Sequence, residues 1–236
     1  IFLVILQTVH LTFATGMNNT MENRFRHAWD REYTRRGRIF GRITQDYPEI
    51  LPGERFLDVG CGDCRAFRAL ALAGGTGLSA ISVGLDHSRP ALSICRPLVS
   101  RMDNMHLVCA DATLMPFPDE TFDTVFLIHV LGHALLDDRK RMAREAARVV
   151  RRDGRIYVRV FSLSDFRAGE GIEVEQGTYI RKTGICTHFF SPGEIRDLFS
   201  PNEPVFLDTA SWTMGTGNKK LYREEIHGMF LAGKRK

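Results

Sequence analysis

The chain has 236 residues, enough for one α/β domain with a sizeable core. Apolar residues at 44% and charged residues at 25% are ordinary globular proportions, not those of a disordered chain. A net charge of +4 is too mild to argue for nucleic acid by itself, and five irregularly spaced cysteines fit a reducing compartment rather than a disulfide scaffold.

Ile1 to Ala14 is strongly apolar, lacks a basic leading segment and is short for a bilayer span. Residues 1–20 are read as an N-terminal extension, artefactual or disordered, with a working start at Met17 or Met21; a truncated signal or anchor is the alternative. Nothing later is long and apolar enough to cross a membrane, so no membrane partner is expected. Glu22 to Tyr47 is Arg-rich with Phe25, Trp29, Tyr33, Ile39 and Phe40 interleaved. It predicts one or two helices, closed by Pro48 and the Pro52-Gly53 turn, so residues 21–53 form a helical unit ahead of a domain over 54–236.

Strand-like and helical runs then alternate: a strand at Phe56–Val59, a helix at Cys64–Ala73, a strand at Ala80–Leu85 and a helix from Ser88. Ser88 is its cap and Pro90 an early helical proline. Strands follow at Met105–Cys109 and Thr124–Ile128, then a helix near Asp137–Val150 and a strand at Ile156–Phe161. Such alternation implies a parallel sheet with helices on both faces. After Phe161 the rhythm breaks, and Ser162 to Phe190 reads as an irregular segment. Ser191-Pro192 starts a short helix over Gly193–Phe199, and two last strands are predicted at Val205–Trp212 and Glu225–Leu231.

The most informative stretch is Leu57-Asp58-Val59-Gly60-Cys61-Gly62. A short apolar strand breaks into Gly-x-Gly, which lets the backbone turn tightly and a ligand approach without a Cβ in the way. The next apolar run ends at Asp86, placed to take the hydroxyls of a ribose. The chain therefore reads as built for a nucleoside-containing cofactor. A dinucleotide fingerprint wants a third glycine where Arg65 stands, and Asp58 suits an ammonium or sulfonium better than a pyrophosphate. Cys61 and Cys64 form a C-x-x-C, but zinc would need two more ligands. The pair is read as small residues filling a tight turn, and no metal is expected.

These residues, with Gly84-Leu85-Asp86, Cys109-Ala110-Asp111-Ala112, the run from Pro116 to Asp123 and the run from Glu145 to Ile156, resemble the class I S-adenosylmethionine-dependent methyltransferases. The resemblance covers roughly Trp29 to Phe199. It implies a Rossmann-like α/β fold: a seven-stranded, mostly parallel sheet with helices on both faces and an antiparallel hairpin edge. It implies S-adenosylmethionine as cofactor, with Gly60, Cys61 and Gly62 flanking its methionine part and Asp58 orienting the turn and the ammonium. Asp86 would take the ribose, beside His87, and Asp111 and Ala112 would meet the adenine. Ile128 ends the fourth strand in the same cavity, and Tyr33, with Trp29, resembles the helix that lids the cofactor in many relatives. Asp119 and Asp123 are read as loop and strand-entry residues.

The fourth strand continues Leu127-Ile128-His129-Val130, not the Asn/Asp-Pro-Pro-Tyr/Phe of amino-directed nucleic-acid methyltransferases, and no Pro-Cys pair supports a cysteine nucleophile. His129 and His188 are the catalytic candidates, with His133 behind them, because imidazole titrates near working pH. The segment after Phe161 covers the acceptor site in this superfamily and is similar to its counterpart in tellurite-resistance-type and other small-molecule methyltransferases. Its acidic residues (Asp165, Glu170, Glu173 and Glu175) would repel phosphate. A small-molecule acceptor in a cytoplasmic enzyme is the leading reading. The alternatives are a transfer-RNA methyltransferase, favoured by the arginines of Glu22–Tyr47 and of Arg139–Arg152, and a non-catalytic cofactor-binding protein of the same fold.

Overall fold

A computed structural model describes residues 21–39, 47–72, 81–102, 104–202, 204–216 and 219–233. The expected extension over residues 1–20 lies outside them, as do Phe40 and Gly41. The first helix, α1 (Met21–Arg36), is followed by β1 (Phe56–Val59), α2 (Arg65–Leu72), β2 (Ser82–Asp86), α3 (Arg89–Val99), β3 (Met105–Cys109) and β4 (Phe122–Ile128). A single 3₁₀ turn at Leu131–His133 leads into α4 (Leu136–Val149) and β5 (Val150–Phe161). Then come β6 (Ile172–Glu175), β7 (Thr178–Ile180), β8 (Cys186–His188), α5 (Pro192–Phe199), β9 (Pro204–Thr216) and β10 (Lys219–Leu231).

The main sheet has the order β3-β2-β1-β4-β5-β10-β9, parallel through β5 and antiparallel at β10. β1 and β2 are buried at every position, as the apolar runs of a two-faced parallel sheet require. One face packs Leu57, Val125, Val158 and Phe230 against Ala143, Ala146 and Val149 of α4 and Phe199 of α5. The other packs Phe56, Phe126 and Tyr157 against Phe67 of α2, Leu92 of α3 and Ile50. Ser88 caps α3 by accepting from the Ala91 N–H, and Ser191 caps α5 by accepting from the Glu194 N–H. No described helix is long and apolar enough to cross a membrane.

Two expectations are corrected. Ser162–Phe190 is not irregular throughout: β6, β7 and β8 form a separate antiparallel sheet. Its strands have three or four residues each, too few to show a period, and turn at Gly177 and Gly184. The last two strands are also longer than expected, at 13 residues each. β10 pairs with β5 only from Glu225 onward, so the first part of the hairpin projects beyond the sheet.

Candidate functional site

The chain leaves β1 through Gly60 (φ +69°) and Gly62 (φ +53°), both in the left-handed region. A Cβ on Gly60 would lie 2.6 Å from Val130 Cγ2, and one on Gly62 would collide with the Tyr33 hydroxyl. The turn is fastened to β2: the Gly60 and Cys61 N–H groups both donate to the Leu85 carbonyl, at 2.7 and 3.0 Å. Asp86, buried at the end of β2, accepts from the Gly62 N–H at 2.9 Å and from the Ser88 N–H at 2.8 Å. Tyr33 reaches down from α1 onto this turn. Burial, then the nearby Asp86 and Asp63 carboxylates, push its phenol far above the ordinary range.

Of the residues expected at the site, Tyr33, Gly60, Asp86 and His87 line one cavity together with Asp111, Ala112, Ile128 and His129. Asp58, Cys61 and Gly62 are not among its lining residues. Burial, then the Asp86 charge, push the Asp58 carboxyl well above its usual value. Cys64 is joined to Cys95 by a disulfide, which the reading of the C-x-x-C as mere space-filling missed. The cross-link ties the glycine turn to α3. Cys61, whose sulfur lies with theirs in a cluster no wider than 4.8 Å, keeps its thiol.

Just after β3, Asp111 accepts from the Thr113 N–H (2.9 Å) and hydroxyl (2.8 Å) and is ion-paired with Arg26 of α1. Burial raises its pKa, but the Thr113 N–H and the Arg26 guanidinium outweigh that and hold the carboxyl below its ordinary range. Arg26, one of the arginines behind the RNA alternative, lies in the wall of the cavity. The cavity is open on one side and has a volume of about 140 Å³.

His129 and His133 stand on the far wall. His129 stacks on Phe161, with ring centroids 4.3 Å apart, and its Nε2 lies 3.4 Å from Glu225 Oε1. Burial, set against the Glu225 charge, brings its pKa down to about 3. His133 donates from Nδ1 to the Cys186 carbonyl at 2.7 Å and meets the edge of Trp29; burial lowers its pKa to about 4.

The expectation for His188 is corrected. Its Nδ1 is bonded to the Thr178 hydroxyl (2.6 Å), its Nε2 to Glu194 (2.8 Å), and it does not line the cavity. It ties β7 and β8 to α5 next to the buried Arg139. The acidic residues of the segment are likewise committed: Asp165 to Arg167 and Arg223, Glu170 to Arg181, Glu173 to the Gly177 N–H and Glu175 to the start of α4. The sequence reading passed over Glu225, since nothing in Arg223-Glu224-Glu225-Ile226 marks which carboxylate turns inward.

Residues 57–158 match the profile of a family described as a methyltransferase domain. The chain is 30% identical over 167 residues to a 27-O-demethylrifamycin SV methyltransferase of Amycolatopsis mediterranei, covering 69% of this chain and 59% of that protein. It is 28% identical over 165 residues to a tRNA N(3)-cytidine methyltransferase of Gallus gallus, covering 66% of this chain and 44% of that protein. The chain therefore spans about half the length of these curated relatives. A solved SAM-dependent methyltransferase from Methanosarcina mazei superposes with a TM-score of 0.63 at 20% identity, over 79% of this chain and 99% of that one. The matched profile begins and ends on β1 and β5, the strands that frame the glycine turn, Asp86 and His129. With the sheet order and that turn, it identifies the chain as a member of the class I S-adenosylmethionine-dependent methyltransferases.

Proposed function

We propose that the chain transfers a methyl group from S-adenosylmethionine to a small, largely apolar acceptor. The observation that carries this reading is Asp86, held by two backbone N–H groups in the wall of a cavity whose glycine turn has no room for a side chain. Asp86 would hold the ribose hydroxyls, Asp111 and Ala112 the adenine, and Gly60 and Gly62 the methionine part, with Tyr33 above. Bound there, the cofactor supplies a methyl carbon made electrophilic by a positive sulfur. The chain contributes alignment and exclusion of water.

The cavity wall favours a small acceptor: Trp29, Ile128, Val130 and Met142 surround the two histidines. RNA is the second reading, supported by the arginines and by the transfer-RNA enzyme among the relatives. The α4 region lends it less support than its arginine content suggests, because several of these guanidinium groups are paired within the fold. Arg139 is buried, Arg141 pairs with Asp138, Arg148 with Glu145 and Asp119, Arg151 with Asp123 and Arg152 with Glu120. The proposal includes a cytoplasmic location, which cell fractionation tests.

Calorimetric titration with S-adenosylhomocysteine is the direct test. Asp86→Ala is expected to weaken binding by about 1–3 kcal/mol through lost charge-assisted hydrogen bonds. Equal affinity in parent and variant would remove the ribose contact. Bulk transfer RNA titrated between low and moderate salt separates the acceptors: steeply salt-dependent binding favours RNA.

A further inference from the structure

β9 is the last strand of the main sheet, and among the described residues no strand pairs with its outer edge. Every second N–H and C=O along that edge points away from the sheet, a ready template for another strand. The other sheet edges are short: β3 has five residues, β8 three, and β6 four, two of them glutamates. β9 has 13 residues. From Val205 to Thr216 it has no lysine, arginine or proline and a single charge, Asp208. Its register against β10 shifts only at the start, where Phe206 pairs with Met229 and Pro204 with Phe230, so a bulge guards only Val205. The regular stretch 206–214 runs from that bulge to Gly215 and has Ala210 at its middle. Phe206, Ala210 and Trp212 line one groove together, as side chains on one face of a strand do. Met214 is 44% exposed, large and apolar for a position on a bare edge.

We propose that the outer edge of β9 docks β9 of a second copy of this chain, the two strands running antiparallel about a two-fold axis at Ala210. A two-fold contact requires a surface that matches itself, here a strand that matches its own reverse. β9 meets that requirement. With the axis at Ala210, Phe206 falls opposite the partner's Met214, and Leu207 opposite the partner's Thr213. Asp208 falls opposite the partner's Trp212, and Thr209 opposite the partner's Ser211. Sulfur against an aromatic ring, an aliphatic against a β-branched side chain and threonine against serine are pairs that stabilise an antiparallel ladder. The one charge is kept from its twin, because the two Asp208 carboxylates stand four positions apart along the ladder, about 14 Å. A charged foreign peptide would find only Asp208 to answer its charges, whereas a second β9 brings none that needs an answer. Met214 passes from solvent to a contact with an aromatic ring. None of the residues lining the cofactor cavity lies on β9, so the pairing leaves that cavity open and the inference does not depend on the methyltransferase reading.

Analytical ultracentrifugation of the full chain, from low to high micromolar concentration, reads the contact directly. The expected result is a reversible dimer. Thr209 and Ser211 are exposed and face each other across the axis, so Thr209→Glu with Ser211→Glu sets like charges together twice. That variant is expected to raise the dissociation constant by at least about tenfold. Thr209→Lys with Ser211→Lys is expected to do the same. An equimolar mixture of the two variants is expected to recover the dimer, since each glutamate then faces a lysine. A parent that stays monomeric throughout overturns the proposal, as does a dimer whose constant does not move in the folded charge variants, or a mixture that fails to associate. Hydrogen exchange on the parent needs no variant and decides if either one does not fold. Amides of residues 206–214 are expected to slow as concentration rises while those of β3 do not, and slowing confined to any other edge overturns the pairing.

Discussion

At the parallel end of the sheet, functional groups are placed by main-chain geometry: two positive-φ glycines, two N–H groups on Leu85 O, two more on Asp86. At the antiparallel end they are placed by pairs of side chains. Arg223 grips Asp165 across 58 positions, His188 bridges Thr178 and Glu194, and Glu225 meets His129. A backbone-built site admits few residue types and writes a short motif into the chain. A site built from distant pairs admits many solutions and writes none.

The largest effect that tests this contrast is expected at Asp165, whose carboxylate is fully buried between Arg167 and Arg223. Asp165→Ala leaves Arg167 without its counter-charge and Arg223 with only the 3.8 Å contact to Glu225, and should cost about 3–5 kcal/mol in urea unfolding. Affinity for S-adenosylhomocysteine should hold; a parallel loss would show that the two ends are not independent.

Gly62→Ala attacks the other end. The left-handed backbone and the Tyr33 hydroxyl together should cost about 2–4 kcal/mol and abolish cofactor binding. Adding Tyr33→Phe should return only the part due to the collision, which thermal melts of the single and double variants can separate.

A pH-dependent effect, small near neutral pH, follows from His129. Its pKa is about 3 when folded against an ordinary 6.5, so below 6.5 the unfolded chain binds the extra proton. Stability therefore falls as pH drops from 6.5 toward 3, by about 1.4 kcal/mol per unit at most from this group. His129→Gln should flatten the melting-temperature profile in that window, and an unchanged slope would assign it to other groups.

The smallest effect is expected at Arg26. Its pair with Asp111 is partly exposed on both sides, worth about 0–1 kcal/mol. Arg26→Gln should tighten S-adenosylhomocysteine binding by no more than about fivefold, since the cofactor no longer displaces an ion pair. Weaker binding would make Arg26 a ligand contact.

The same contrast explains what was legible in the residues. Alternating apolar runs marked the parallel strands and helices α2 to α4. Gly60, Gly62, Asp86 and Asp111 came from short motifs whose backbone demands are local. Strands β6 to β8 have too few residues for periodicity, and their turn glycines look like any loop. His188 was a fair candidate by type, because only its partners on β7 and α5 reveal both nitrogens as taken. Glu225 carries no local mark at all, since its partner is nearly a hundred positions away in the chain.

β10 carries in succession the clamp on Asp165 (Arg223), the partner of the imidazole (Glu225) and the core ring Phe230. Neighbouring side chains on a strand point to opposite faces, so a slip of one residue would misplace all three. Because a chain is made from its N-terminus, the glycine turn and Asp86 leave the ribosome well over a hundred residues before Glu225 does. During that interval the emerging chain has the glycine turn and Asp86 and lacks Arg223, the clamp on Asp165.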